Sequence, residues 1–348
     1  MNAINLLHAA IRRNLFWLER LLIASGLTAL LGQLLTTQRV YPTYWDTVVL
    51  AGVFLSLLLW PTIGYFVLIL AALYPLGNIS IYLAVLFLAI ALIGQHWFIP
   101  NLGLVTLILS APFLNGIYLA WLVPLLGGLW WGPRGGLFAG LIAAAWGKIV
   151  FGLLGLPPDW LKLAGLYPDL GPTLLRFRGL DSWEVLTAIA APLTPNSTDA
   201  LYHALQITIW AFTGWCIGHF SLKNWVQYQR PRTTLGLLTA GVVLLSVLQI
   251  LLFVWLGFSD LPPVIRTGLL PTASASLLAG ILAELTLYFF EHPWSMPARV
   301  SARTSSVAAI SLEPAAPSHS FDSASSGKPH ADTPPQKDEE KLIMIELD

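Results

Sequence analysis

The sequence predicts an all-α fold: a polytopic integral membrane bundle of about eight spanning helices, followed by a disordered cytoplasmic C-terminal tail. Three observations carry that reading. Charged residues make up 10% of the 348 positions and hydrophobic ones 56%, against roughly 25% charge in an ordinary soluble domain, and mean hydropathy is +0.71. Between Asp46 and Asp159 only Arg134 and Lys148 are charged. That is too little polar surface to meet water, so lipid is the solvent for most of this chain. Beyond Pro293 the composition turns abruptly to Ser, Ala and Pro with no periodic apolar face, as disordered segments do.

A helix needs about 20 apolar residues to cross the hydrocarbon, more when tilted. Windows of that size place spans near 16–35, 47–75, 80–97, 102–129, 135–156, 201–220, 234–257 and 267–290, within a membrane bundle covering 1–293. The first follows Arg20 without a small-x-small cleavage pattern, so it is expected to be a retained signal anchor. Segments 47–75 and 102–129 carry central prolines, Pro61 and Pro112. Each is either one kinked helix or two short half-spans joined by a tight turn.

Basic residues decide sidedness, because positive charge accumulates in cytoplasmic loops. With eight spans, Arg12, Arg13, Arg20, Arg134, Lys223, Arg230, Arg232, Arg299 and Arg303 all fall inside, while Arg39, Lys162, Arg176, Arg178 and Arg266 fall outside. Splitting one proline-bearing segment breaks this agreement, and splitting both reverses the middle of the chain. The expectation is therefore a bacterial cytoplasmic (inner) membrane protein with both termini inside. Tyr41, Tyr44, Trp45, Trp97, Trp130, Trp131, Trp225 and Trp255 sit near span ends, where amphipathic rings anchor at the interface.

The external segment 157–200 is too polar to span and too apolar for a free loop. Asp181 and Glu184 have capping-box spacing ahead of "VLTAIAAPL", which predicts a short helix on the outer interface or over the bundle. It is either a packing lid or the cover of a vestibule, with Arg176 and Arg178 offered to an anionic ligand. The tail, 294–348, ends in Leu342, Ile343, Met344 and Ile345 behind the charge run "QKDEEK". This is either a docking peptide that adds a strand to a cytoplasmic partner or an unconstrained apolar end.

Two ionisable residues lie well inside the spans. Counting by fours through span five gives Gly136, Gly140, Ala144, Lys148 and Gly152, one face of a helix made of the smallest side chains. Counting by fours through span eight gives Thr272, Ser276, Gly280, Glu284 and Tyr288. Faces like these turn toward protein, and an unpaired charge in hydrocarbon costs anywhere from ~2.5 to above 10 kcal/mol. Spans five and eight are thus expected to pack together with Lys148 and Glu284 sharing one site. Asn115, Gln206, Ser246 and Gln249 could line the same interior. Such a pair either fixes helix register or forms a substrate or proton site.

Chemistry is narrowed by what is missing. No Gly-x-Ser-Gly nucleophile, no pair of intramembrane aspartates, no histidine spacing suited to a metal and no phosphate-cradling loop occurs. Cys216 is the single cysteine, so no disulfide closes within the chain. No cofactor, metal or nucleic-acid partner is expected, membrane lipid is, and the protein reads as a non-enzyme. "WWGPRGGLFAGLIAAAWG" loosely resembles inter-span turns of bacterial multi-span sensory modules and of vitamin-uptake substrate-binding subunits, a likeness that carries no binding residue. Two functions follow as expectations. One is a non-catalytic sensor, scaffold or anchor recruiting a cytoplasmic partner through its tail. The other is a transport component with a polar site around Lys148 and Glu284.

Overall fold

The computed structural model describes residues 11–38, 41–42, 44–171, 173–177, 179–223, 232–258 and 261–291. The chain divides into units Met1–Ser295 and Met296–Asp348, and every described residue belongs to the first. Its elements are helical throughout: α1 Leu15–Gln38, α2 Trp45–Leu59, α3 Pro61–Ile79, α4 Ile81–Phe98, α5 Leu102–Asn115, α6 Leu122–Leu154, α7 Thr173–Arg176, α8 Ser182–Ala190, α9 Ser197–Ser221, α10 Arg232–Trp255, α11 Leu261–Val264 and α12 Leu270–Glu291. Six helices among the described residues are long and apolar enough to cross a membrane, those beginning at Leu15, Pro61, Ile81, Leu122, Arg232 and Pro262. α9 has 25 residues but interrupts its apolar surface with buried His203, Gln206 and Thr213.

The expected eight spans are not reproduced, because both proline-bearing segments are broken, one of them at its proline. Segment 47–75 is two helices, because Pro61 starts α3 after an extended Trp60, where its fixed φ and missing N–H favour a new first turn. A Cβ on Gly64 would run into the backbone of Leu57, so the two helices fold back on each other. At their other end, the Tyr41 hydroxyl donates to Ala71 O at 3.2 Å. Segment 102–129 is also broken, not at Pro112, which lies inside α5, but over residues 116–121. The chain then enters α6, which bends at Gly132 (φ 71°, ψ −167°). That backbone suits glycine alone. The arms 122–131 and 133–154 fold into a hairpin, with Gly128 meeting Gly136.

Close contacts order the rest. Gly26 packs on Thr106 and Gly103 lies near Ile23, so α1 and α5 run parallel. The Tyr65 hydroxyl donates to Ala91 O at 2.8 Å across α3 and α4. Gly136 meets Gly214, Gly140 meets Trp210, and Gly132 meets Gly218, which sets the second arm of α6 antiparallel to α9. Ile217 reaches Gly241 of α10, and Leu238 of α10 reaches Gly280 of α12. Helices and arms joined by these short turns thus alternate in direction along the described chain.

The segment after α6 does not simply cover the bundle. Past the C-cap Gly155 (φ 71°) the chain turns back inside. Trp160 is 1% exposed, donates from Nε1 to Ala144 O at 3.2 Å and fills the hollow left by Gly147. Ala144 lies ten residues back from Leu154, so the dip reaches about 15 Å at the helical rise of ~1.5 Å per residue. Gly165 then gives its N–H to Asn115 O at 2.9 Å, satisfying a carbonyl where α5 ends. Backbone freed from helical bonding at such a depth is tolerated when other protein groups pair with it. Further along, α8 carries the expected capping box, Glu184 N to Asp181 Oδ1 at 2.7 Å and Asp181 N to Glu184 Oε2 at 3.0 Å.

Candidate functional site

The small face of α6 faces α9, not α12. Residues Tyr202, Gln206, Trp210, Gly214 and Gly218 of α9 recur every fourth position, so they form one stripe. It meets Gly136 and Gly140 at one end and Lys148 at the other. Lys148 is 1% exposed. Its Nζ lies 2.6 Å from Gln206 Oε1, 2.7 Å from Pro158 O and 3.0 Å from His203 Nδ1. An ammonium has three donors and no acceptor, and it finds three acceptors here. With Lys148 donating, His203 Nδ1 is the bare ring nitrogen and the ring proton sits on Nε2. Pro158 O is available because the re-entrant turn holds it outside any helical ladder.

Around this clamp the network continues. Gln206 Nε2 donates to Tyr202 Oη at 3.2 Å and lies 3.4 Å from Gln249 Oε1 of α10. The Tyr202 hydroxyl donates to Asp159 Oδ1 at 3.1 Å, which also accepts Leu161 N at 3.0 Å. Asp159 is 4% exposed, and its charge reaches the Lys148 ammonium. A buried charge is tolerated when paired and hydrogen-bonded. A polar cluster this complete also holds its members in one geometry.

A cavity of about 190 Å³ lies on the side of this cluster away from Lys148. Asp159, Tyr202 and His203 form its polar wall, and Phe253 and Phe258 its apolar wall. Lys162, Asp199, Pro157, Pro158, Pro192 and Pro195 complete it. Asp199 sits where α9 starts, capped by Asn196 Oδ1 at 2.8 Å. His203 therefore has one ring nitrogen on Lys148 and its ring against open space.

Of the residues singled out from sequence, Lys148, Gln206 and Gln249 belong to this network, and the others lie elsewhere. The expected Lys148–Glu284 pair is not formed. The Glu284 carboxylate accepts from Trp130 Nε1 at 3.2 Å, beside the Gly132 bend, whereas the lysine stem reaches the other way, toward the re-entrant turn. Ser276 donates to Tyr118 O at 3.1 Å. Asn115 Nδ2 and Thr272 Oγ1 are buried without a hydrogen-bond partner among the described residues. The polar face of α12 thus packs on the 118–130 region.

Arg176 is not offered to an anion, because its Nη1 donates to Gly152 O at 2.6 Å and Leu153 O at 2.8 Å, closing the end of α6. Arg178 and Leu342, Ile343, Met344 and Ile345 lie outside the described residues. Sequence reasoning missed His203, Tyr202, Asp159 and Pro158 as site residues. The four-residue repeat in α9 was the signal that would have found its partners. Among known proteins, no family model, curated protein or solved structure matches this chain.

Proposed function

We propose that the protein is a non-catalytic, solute-binding transport component of a bacterial cytoplasmic membrane, taking a small solute into the cavity above Lys148. One observation carries this. A cavity wall made of Asp159, Tyr202 and His203 is joined to a lysine that is 1% exposed, His203 directly, Tyr202 through Gln206, and Asp159 through both Tyr202 and Gln206. Intramembrane ionisable groups of this kind mark substrate or ion pathways more often than packing. The broken passes and the re-entrant turn beside the cluster support the same reading, since transporters build midplane sites from interrupted helices.

Arg12, Arg13, Arg20, Arg134, Lys223 and Arg232 lie at the end opposite the 155–196 segment, against Lys162, Arg176 and Arg266 at that end. By the positive-inside rule this asymmetry supports a reading with both termini in the cytoplasm and the cavity mouth outside. Recruitment of a cytoplasmic partner by Leu342–Ile345 is a second proposal that rests on sequence alone.

The test is thermal unfolding of the purified full chain in detergent with methylammonium, acetate, glycine and urea, each alone. At least one should raise the midpoint of the native chain and fail to raise that of Pro195→Trp, which fills the mouth. If none raises it, or if Pro195→Trp responds equally, this cavity is not a solute site.

A further inference from the structure

The chemistry of the wall selects among solutes, and this inference rests on the binding reading just given. Asp159 is the wall's most buried charged group, at 4% exposure. Its Oδ1 is fully used by Tyr202 and Leu161. Its Oδ2 accepts no hydrogen bond from any described residue, and the residue lines the cavity. A buried carboxylate oxygen left open toward a cavity calls for a donor or a cation, since an unmet acceptor in a low-dielectric site is costly.

Three rings share the lining with it. Tyr202 meets Phe253 and Phe258 at centroid distances of 5.4 and 5.2 Å, and the two phenylalanines lie 5.6 Å apart. Aromatic faces grouped near a carboxylate recognise ammonium groups through the ring quadrupole. A second carboxylate, Asp199, lies at the mouth.

The cations nearby do not cancel this preference. Lys148 has its three protons on Pro158, His203 and Gln206 and is no part of the wall. Lys162 also lines the cavity, where the second carboxylate, Asp199, offsets its charge. At contact range an entering solute meets two carboxylates, the Lys162 side chain, a neutral imidazole and ring surface. The volume, about 190 Å³, is below the ~300–1,000 Å³ of ordinary ligand pockets. That limits the solute to a few heavy atoms.

We infer that the cavity binds a small organic cation, a primary or methylated ammonium, with its charge on Asp159 Oδ2 and its alkyl part against Tyr202, Phe253 and Phe258. The test is equilibrium binding to the full chain in detergent, by calorimetry, of methylammonium, ethanolamine, tetramethylammonium, acetate and urea.

Ammonium compounds should bind and the others should not. Asp159→Asn keeps an acceptor for Tyr202 and Leu161 but presents an amide to the cavity, and should weaken binding at least about tenfold. Phe258→Leu should weaken tetramethylammonium about fivefold while leaving the thermal midpoint near that of the native chain. If Asp159→Asn does not fold, Asp199→Asn at the mouth replaces it, with a loss of about twofold to threefold expected at low salt. Acetate or urea binding that Pro195→Trp abolishes would overturn the cation assignment and keep the site. No binding by any compound would remove both.

Discussion

Lys148 ends its stem among Pro158 O, Gln206 Oε1 and His203 Nδ1. Removing any acceptor leaves a buried donor unmet, at a cost of about 1–3 kcal/mol and more for a charged group. Two double-mutant cycles on detergent-solubilised protein separate this geometry from a lysine–glutamate pair. Lys148→Met combined with Gln206→Met should lose less than the sum of the single losses, by about 1 kcal/mol or more. Lys148→Met combined with Glu284→Gln should be additive within ~0.5 kcal/mol. The opposite pattern would restore the pair.

At this scale the sequence is half legible. The four-residue stripe shows that Lys148 faces protein, and it does. The acceptor set is not legible, because Pro158 and Asp159 arrive on an irregular turn whose path no periodicity reports. Opposite charge made Glu284 the natural partner, but depth rules it out. Seven residues of helix, about 10 Å, separate their expected levels, and the lysine reaches toward the end away from Glu284.

Elements are fixed by where small residues permit approach. α6 and α9 pack backbone to backbone through Gly136 and Gly214, and the re-entrant turn is seated by Gly147, whose missing side chain is where the Trp160 ring lies. Gly147→Val should therefore expel Trp160 and lift the turn out. A cysteine at Leu161, 2% exposed, should resist an aqueous maleimide in the native background without Cys216 and react in Gly147→Val. Equal labelling in both would mean the turn is not held by that hollow.

The helices themselves are readable from apolar length, and the capping box of α8 from Asp181 and Glu184. The breaks were open from the prolines, yet only Pro61 is itself a break. The other falls after Asn115, where Tyr118 adopts a positive φ of 62°, a conformation that its side chain gives no sign of.

Over the whole molecule, the described helices and the expected eight spans put the described basic residues at the same ends of the bundle. They differ only in the middle, where α4 runs the other way. That stretch carries no lysine or arginine, so the charge rule is silent there, and the extra reversals pass unseen. Packing shows them: Ser80, between α3 and α4, donates to Ser182 O at 3.4 Å, which puts that turn at the end where the 155–196 segment lies. The lining residues Pro157, Pro192 and Pro195 put the cavity at this same end. Side-specific labelling tests it directly. In a Cys216→Ala background, His203→Cys and Asn78→Cys are each exposed to a membrane-impermeant thiol reagent from one face of oriented vesicles. Both should react from the same face, with Pro195→Trp protecting position 203 alone. Reaction from opposite faces, or an inert Cys at 203 from either side, would contradict a cavity that opens above Lys148.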